Sequence, residues 1–357
     1  MKISYIFTLL VVTRLYTIAA LPHKRQVAYE LPLTSINGDK GYIFPISFGR
    51  QIFNVLLDTG STDLWVSDIS CSNCGNKRKY NPKRDGSFRT NHKSFEIRYG
   101  KGSVEGYIGS ADLSINGALI PQQIFGLATK MDYFQDKLFD GIMGFNFEFP
   151  TPLGGQSAFM YMVDNGMIPN PRFGVYLGRE SEGTGNAGRL HIGDIDRTRF
   201  ISPISFNRVD DNEPDWKISL QSIMVNGHTY PTFRQLLCLI DTGASILKIP
   251  YSDVDSIANL IPGSAVNKRH KLFVPCDSTP SFIITFGSVS YTIPPRDIIG
   301  NRYNDELCHT NIIGRPERRC TIGTPFLKNV YSVFETTPSG NYVGFGFLTP
   351  AFSNKTL

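Results

Sequence analysis

The stretch Phe53-Asn54-Val55-Leu56-Leu57-Asp58-Thr59-Gly60-Ser61-Thr62-Asp63-Leu64-Trp65 decides the fold of this protein. An apolar run predicts a strand that ends in an aspartate within a glycine turn. A near copy, Leu236-Leu237-Cys238-Leu239-Ile240-Asp241-Thr242-Gly243-Ala244-Ser245, follows much later in the chain. A given tripeptide arises by chance on the order of 10⁻⁴ times per position. Two such turns, each after an apolar run, therefore indicate a duplicated functional feature and not two accidental polar turns.

Paired aspartates have a specific chemistry when they are brought close together. Two adjacent carboxylates cannot both ionise at low cost, so Asp58 and Asp241 are expected to share one proton, with one pKa lowered and the other raised. A water between them meets a base on one side and an acid on the other, which suits attack on an amide carbonyl. This chemistry needs neither a metal nor a covalent intermediate, and we expect no cofactor.

The residues around each aspartate fit a site that holds an acid in place. Gly60 and Gly243 are expected to adopt backbone conformations closed to other residues and to let amides point at the acid. The hydroxyl of Ser61 can donate to Asp58. The sequence therefore predicts an oriented carboxylate in each turn.

Composition predicts a mainly β protein of two parts. The 357 residues are 41% hydrophobic and 19% charged, with 33 glycines and 22 prolines, which is typical of packed, turn-rich domains. The Asn-Gly dipeptides at 37–38, 116–117 and 226–227, each beside apolar residues, predict hairpins. Helices are predicted over Gln156 to Val163 and over Ser252 to Leu260, with Ser252 as the cap of the second. A boundary near residue 210 leaves one turn in each half, so residues 26–210 and 211–357 are expected to form two related lobes.

The N-terminus predicts secretion. Residues 1–20 resemble a signal peptide and residues 21–25 a very short pro-segment ending at Lys24-Arg25. Removing residues 1–25 takes away four basic residues and no acid, so the formal charge falls from +5 to +1. A charge this small does not predict binding to nucleic acid. The basic run 77–84 is interpreted as a solvated loop. Scattered histidines and a single CxxC argue against metal, and Asn354 begins a glycosylation sequon.

Further motifs place the sequence near a known family. Residues 97–103 read Ile-Arg-Tyr-Gly-Lys-Gly-Ser, residues 139–144 read Phe-Asp-Gly-Ile-Met-Gly, and residues 321–326 read Thr-Ile-Gly-Thr-Pro-Phe. Together with the two Asp-Thr-Gly turns, these ordered motifs resemble the pepsin-like aspartic endopeptidases from about residue 29 to the end. The resemblance implies an all-β, bilobal acid protease fold, with two related lobes, a cleft between them and a few short helices.

The resemblance also implies roles for individual residues. Asp58 and Asp241 would be the catalytic dyad, and the hydroxyls of Thr59 and Thr242 would join the two turns beneath it. Tyr99 would lie on a mobile hairpin, the flap, with its hydroxyl supported by Trp65. An extended peptide would bind between the lobes and pair with the flap. The remaining substrate-binding candidates are Gly100, Lys101, Leu56, Tyr133, Phe134, Phe139, Ile142 and Ser245, of which Phe139 and Ile142 are equally plausible as core.

Two departures from the family pattern bear on chemistry. Ala244 stands where the family usually has a hydroxyl residue beside the second aspartate, so the optimum is expected at a less acidic pH. Lys101 at the flap tip is expected to favour acidic substrate residues and repel basic ones, or else to point to solvent.

The cysteines predict disulfides in a secreted protein. The resemblance implies pairs between Cys71 and Cys74 and between Cys276 and Cys308. A third bridge between Cys238 and Cys320 is a hypothesis, because both residues precede segments expected to lie together beneath Asp241.

The sequence thus predicts a secreted, monomeric aspartic endopeptidase that cleaves proteins at bulky hydrophobic residues and binds pepstatin-type inhibitors. The alternative is a pepsin-like protein that binds peptides or glycans without catalysis. A metal- or thiol-dependent hydrolase is disfavoured because the chain has no clustered ligand set and no supported nucleophile.

Overall fold

The computed structural model describes residues 26–147, 151–183, 187–230 and 236–352. The predicted signal peptide, the short pro-segment and Asn354 lie outside these ranges. Within them the chain is built mainly of strands, as the sequence predicts. In chain order the strands are β1 (Tyr29–Pro32), β2 (Thr34–Ile36), β3 (Gly41–Phe48), β4 (Gln51–Asp58), β5 (Leu64–Asp68), β6 (Lys79–Tyr80), β7 (Arg89–Arg98), β8 (Ser103–Ile115), β9 (Ala118–Asp132), β10 (Gly141–Gly144), β11 (Arg172–Tyr176), β12 (Arg189–Ile192), β13 (Phe200–Arg208), β14 (Lys217–Val225), β15 (His228–Tyr230), β16 (Leu236–Ile240), β17 (Leu247–Pro250), β18 (Ala265–Val266), β19 (Lys271–Pro275), β20 (Phe282–Phe286), β21 (Val289–Ile293), β22 (Ile299–Arg302), β23 (Leu307–Arg315), β24 (Cys320–Ile322), β25 (Val330–Thr337) and β26 (Gly340–Leu348).

The helices of the described residues are few and short. They are α1 (Ala158–Asp164), α2 (Tyr251–Ala258), α3 (Pro295–Ile298) and α4 (Thr324–Leu327), with 3-10 turns at Pro82–Arg84 and Glu180–Glu182. Ser157 caps α1 by accepting a hydrogen bond from the amide of Met160. The predicted cap at Ser252 is wrong, because α2 already begins at Tyr251 and Pro250 occupies the cap position without a side-chain bond. None of the helices in the described part of the chain has the length and apolar character needed to span a bilayer.

Three sheets organise the strands. One has the order β2-β3-β4-β10-β5-β9-β8-β7, with β6 beside β5. The second has the order β18-β19-β23-β17-β24-β16-β14-β20-β21, with β15 beside β14 and β22 beside β23. Each of these two sheets carries one Asp-Thr-Gly turn. The third, β1-β12-β11-β25-β26-β13, takes strands from both sides of residue 210.

The Asn-Gly hairpin predictions are confirmed. Asn37, Asn116 and Asn226 have φ angles of 56°, 45° and 48°, and the glycine after each is also at positive φ. Asn116-Gly117 links β8 to β9 and Asn226-Gly227 links β14 to β15 as two-residue turns. These are the backbone values that a type I′ turn requires, which is why the dipeptide located the turns from sequence.

The basic run 77–84 is not uniformly solvated. Lys77 is 8% exposed and donates hydrogen bonds to the carbonyls of Lys137 and Phe139, and Tyr80 is fully buried. Burial lowers the pKa of Lys77 to about 8. The interpretation of this run as a solvated loop is therefore wrong for Lys77, whose ammonium holds the Phe139 segment against the sheet.

The structure joins Cys71 to Cys74, Cys276 to Cys308 and Cys238 to Cys320. The last pair lies opposite one another on the parallel strands β16 and β24, with Cα atoms 4.4 Å apart. The third bridge thus ties the strand that carries Asp241 to the strand beside it.

Candidate active site

Each of the two acids is fixed by a pair of parallel strands. Asp58 is the last residue of β4, and its neighbour β10 runs parallel with Gly144 opposite Asp58. β16 ends at Ile240, directly before Asp241, and has β24 as its parallel neighbour with Ile322 opposite Ile240. The buried β4 residues Val55 and Leu57 and the buried β16 residue Cys238 anchor the strands, so each carboxyl stands at the point where a rigid strand ends.

The two turns are joined by a reciprocal set of hydrogen bonds between fully buried threonines. The Thr59 amide donates to the Thr242 hydroxyl and the Thr242 amide donates to the Thr59 hydroxyl, each at 3.0 Å. The Thr59 hydroxyl donates to the carbonyl of Ile240 at 2.7 Å, and that of Thr242 donates to the carbonyl of Leu57 at 2.8 Å. This network joins the two turns directly beneath the acids.

The glycines of the turns are required for close approach. A Cβ on Gly60 would lie 2.6 Å from Cγ of Asp241, and one on Gly243 would lie 2.5 Å from Oδ1 of Asp58. Neither glycine is among the residues at positive φ, so the expectation of an unusual backbone conformation is wrong. Each glycine instead makes room for the carboxyl of the opposite turn, which places the two acids side by side.

The two carboxyls have different partners. Asp58 accepts from the Ser61 hydroxyl at 2.5 Å and from the Gly60 amide at 2.9 Å. Asp241 accepts from the amides of Gly243 at 2.8 Å and Ala244 at 3.1 Å. Ala244 occupies the place that corresponds to Ser61 and adds no hydroxyl. Asp58 therefore has the better support for a negative charge.

Burial and this difference in donors set the protonation states. Burial raises the pKa of Asp58 above its usual value, while the bonds from Ser61 and Gly60 oppose that rise. Burial, and then the charge of Asp58, raise the pKa of Asp241 well above its usual range. The expectation that one pKa falls is thus wrong, because burial raises both. The donors give the order: the Ser61 hydroxyl supports a charge on Asp58 and no hydroxyl supports one on Asp241, so we place the shared proton on Asp241.

The hairpin between β7 and β8 carries Tyr99 over the acids. Tyr99 begins the turn, with its amide donating to the carbonyl of Gly102, whose φ is 82°. The indole N–H of Trp65, which is fully buried, donates to the Tyr99 hydroxyl at 2.8 Å. Burial and the nearby charge of Asp58 raise the pKa of Tyr99 well above its usual value. Its hydroxyl therefore stays neutral and remains a donor.

An apolar cluster lies beside Tyr99 and Trp65. The ring of Phe134 contacts Tyr99 at 5.5 Å, Trp65 at 5.8 Å and Phe139 at 6.0 Å between centroids. Leu56, Phe139 and Ile142 belong to the same cluster and are 7%, 5% and 2% exposed. Tyr133 is 46% exposed at φ 72° and packs edge-on against Phe134, while Ser245 is partly exposed in the second turn. The apolar residues of this set thus lie near one another, and Tyr133 is the most exposed of them.

Sequence reasoning missed one residue of this region. Lys248, in β17, brings its ammonium to the flap: a Cβ on Gly100 would lie 2.7 Å from its Nζ. A lysine in an apolar strand pattern, soon after the second Asp-Thr-Gly, is the signal that could have found it. Among the described residues no group of three or more His, Cys, Asp or Glu could hold a metal ion.

Comparisons with known proteins agree with this geometry. The family model described as eukaryotic aspartyl protease matches residues 41–346. The chain is 29% identical to gastricsin of Rattus norvegicus over 317 residues, which covers 83% of this chain and 79% of the relative. It is 28% identical to rhizopuspepsin of Rhizopus chinensis over 312 residues, 85% and 78% of the two chains.

A third relative is the aspartic-type endopeptidase ctsD of Aspergillus fumigatus, 32% identical over 301 residues, which covers 81% of this chain and 61% of the relative. The family match spans both Asp-Thr-Gly turns and the flap. This chain belongs to the eukaryotic aspartyl protease family, the pepsin-like aspartic endopeptidases.

Proposed function

We propose that this protein is a secreted endopeptidase in which Asp58 and Asp241, from lobes formed by residues 26–210 and 211–357, hydrolyse peptide bonds through one activated water. The observation that carries the proposal is the mutual approach of the two turns, in which each glycine makes room for the opposite carboxyl. The different hydrogen-bond donors of the two carboxyls support distinct roles for the acids.

The roles follow from the protonation states. Asp58, ionised and supported by Ser61, is the general base that takes a proton from the water as its oxygen attacks the carbonyl carbon. Asp241, protonated, donates its proton to the carbonyl oxygen, giving a neutral tetrahedral diol. Asp58 then gives its proton to the peptide nitrogen while the ionised Asp241 takes a proton from one diol hydroxyl, so that the C–N bond breaks, an amine and a carboxylic acid leave, and the dyad again holds one proton. Proton transfer in both directions requires a single shared proton, which the coupled pair holds.

The flap and the apolar cluster support the binding of an extended peptide. The hydrogen bond from Trp65 holds the side chain of Tyr99 in place on the flap. Closure of the flap over the dyad then excludes water from the scissile bond. Phe134, Phe139 and Ile142 form a buried apolar cluster next to Tyr99, and the exposed ring of Tyr133 packs against Phe134. We therefore propose that bulky hydrophobic side chains beside the cleaved bond are preferred, as the sequence predicted.

The proposal includes a less acidic optimum and an extracellular location. Asp241 lacks a hydroxyl donor at Ala244, so its proton is retained to a higher pH than a hydroxyl-supported acid would retain it. Three disulfides are typical of proteins that fold in an oxidising compartment.

The test is hydrolysis of denatured haemoglobin or casein between pH 2 and pH 7, with and without pepstatin. We expect pepstatin-sensitive cleavage that is lost in Asp58→Asn while the thermal unfolding midpoint is kept. A folded wild-type protein that binds peptides but cleaves none of them would instead support the alternative of a peptide-binding protein. Cleavage that resists pepstatin and survives Asp58→Asn would contradict the proposed dyad.

A further inference from the structure

Lys248 projects from the second half of the chain into the cleft. It lies in β17 between Leu247 and Ile249, which are 2% and 1% exposed. Since successive side chains of a strand point to opposite faces, Lys248 points away from the core that its neighbours fill. Its Nζ reaches the flap of the other half, close to the backbone of Gly100. The ammonium therefore occupies the space that a peptide under the flap must enter.

The charge of this ammonium is not neutralised by the protein. Among the described residues no carboxylate lies within ion-pair distance of Lys248 or of Lys101, whereas Arg315 is paired with Glu317 at 2.9 Å. Burial, then Arg315 and Lys101, hold the pKa of Lys248 below its usual range, against the charges of Asp241 and Glu317. In the catalytic state Asp241 is protonated, so it supplies little of that opposing charge. A partly buried, unpaired cation is a group that gains from a carboxylate partner.

Lys101 extends the positive surface at the flap tip. Its Nζ lies 5.9 Å from the ring centroid of Tyr133, and Nζ of Lys137 lies 4.1 Å from the same centroid. Lys101 is exposed, so its interaction with a ligand is screened by solvent, whereas Lys248 is partly buried. Of these cations, Lys248 is the one placed to discriminate between peptides.

We propose that Lys248 is a specificity-determining residue that pairs with an Asp or Glu side chain of the substrate near the cleaved bond, so that this endopeptidase prefers acidic peptides. The inference rests on the proposed function, because it concerns the substrate of the same cleft. A substrate carboxylate would replace solvent around the ammonium, and a substrate lysine or arginine would meet like charge instead.

The test compares peptides that differ only in charge. Each test peptide has Phe on both sides of the cleaved bond and carries either Glu or Gln at one of the three positions beyond either Phe. For each position, the ratio of kcat/KM of the Glu peptide to that of the Gln peptide is measured at pH 3.0 and at pH 5.5. A free Glu side chain has a pKa of about 4.3, so it is largely neutral at pH 3.0 and ionised at pH 5.5. Lysine pKa values as low as about 5 to 6 are reached only by fully buried groups, so partly exposed Lys248 stays charged in this range.

We expect a ratio near one at pH 3.0 and about fivefold to tenfold at pH 5.5 at one position of the peptide. In Lys248→Met the ratio at pH 5.5 should fall to near one, and in Lys248→Glu the peptide with Lys at that position should become better than the Gln peptide. Lys83→Met, an equal change of charge on an exposed lysine of the turn Pro82–Arg84, should keep the wild-type ratio.

The outcomes separate the two levels of the proposal. Absence of any pepstatin-sensitive cleavage refutes the proposed function. Cleavage with a ratio near one at pH 5.5 at every position refutes the acidic preference alone, and this result needs no variant. A preference that persists in Lys248→Met, or that disappears in Lys101→Met only, refutes the assignment to Lys248.

Discussion

Replacing Ala244 by serine tests how the second turn sets the working pH. The first turn shows what the substitution would restore, since Ser61 lies three residues after Asp58 and donates to it at 2.5 Å. Ala244 lies three residues after Asp241, and only its amide reaches that carboxyl, at 3.1 Å. A hydroxyl in this position would donate to the ionised form of Asp241 and would stabilise it.

The expected magnitude follows from the energy of such a bond. A hydrogen bond to a charged group contributes about 1.5 to 3 kcal/mol, and one pKa unit corresponds to about 1.36 kcal/mol. Because Ala244 is partly exposed, we take the lower end, a fall of about one unit in the pKa at which the dyad loses its shared proton. The sign is fixed: a donor to the ionised acid lowers its pKa, so the proton is lost at a lower pH.

The assay is the pH dependence of kcat/KM between pH 2 and pH 8, with a peptide that has no titratable side chain. In Ala244→Ser the alkaline limb should move down by about one pH unit, while the acid limb stays in place. Ser61→Ala is the mirror control, and its acid limb should move up by a similar amount. An alkaline limb that stays fixed or moves up in a folded Ala244→Ser protein would refute the reasoning.

Three further predictions concern the packing of the site. Gly60→Ala places a Cβ 2.6 Å from Cγ of Asp241 and should lower kcat/KM at least 100-fold. The control Gly86→Ala, whose Cβ would meet open space, should keep kcat/KM within about twofold of the wild-type value. Equal effects of the two substitutions would contradict the steric account. Tyr99→Phe leaves the buried indole N–H of Trp65 without its hydrogen-bond partner and should lower kcat about tenfold at saturating peptide. An unchanged kcat would show that the hydroxyl of Tyr99 is dispensable. Serine replacement of both cysteines of the bridge between β16 and β24 should lower the free energy of unfolding by about 4.5 kcal/mol in urea titration, and a loss below about 1 kcal/mol would contradict a role in stability.

The sequence predicted the parts of the site that depend on local patterns. An apolar run ending in Asp-Thr-Gly places an acid at a strand end, and two runs at Leu57 and Ile240 were enough to predict a pair. Asn-Gly at positions 116–117 and 226–227 specified hairpins because few other dipeptides accept positive φ at both residues. These features need no knowledge of distant contacts.

The features that the sequence did not predict arise from contacts between distant segments. Gly60 faces Asp241 from across the interface, so its steric role is invisible within its own turn. Lys77 is buried because the carbonyls of Lys137 and Phe139 surround its ammonium. Lys248 gains its place in the cleft only when the flap lies against it. The third sheet likewise joins distant segments, because β1 pairs with β12 and β25 pairs with β11.

The most direct test of the central claim, that Asp58 and Asp241 act as one unit on one water, is a comparison of kcat among Asp58→Asn, Asp241→Asn and the double variant, with thermal unfolding as the check on folding. Each single variant should lose at least about 10⁴-fold, and the double variant should be no more than about threefold slower than either single one, because removing one member already disables the pair. Single losses that multiply in the double variant, or substantial activity in either folded single variant, would contradict the claim.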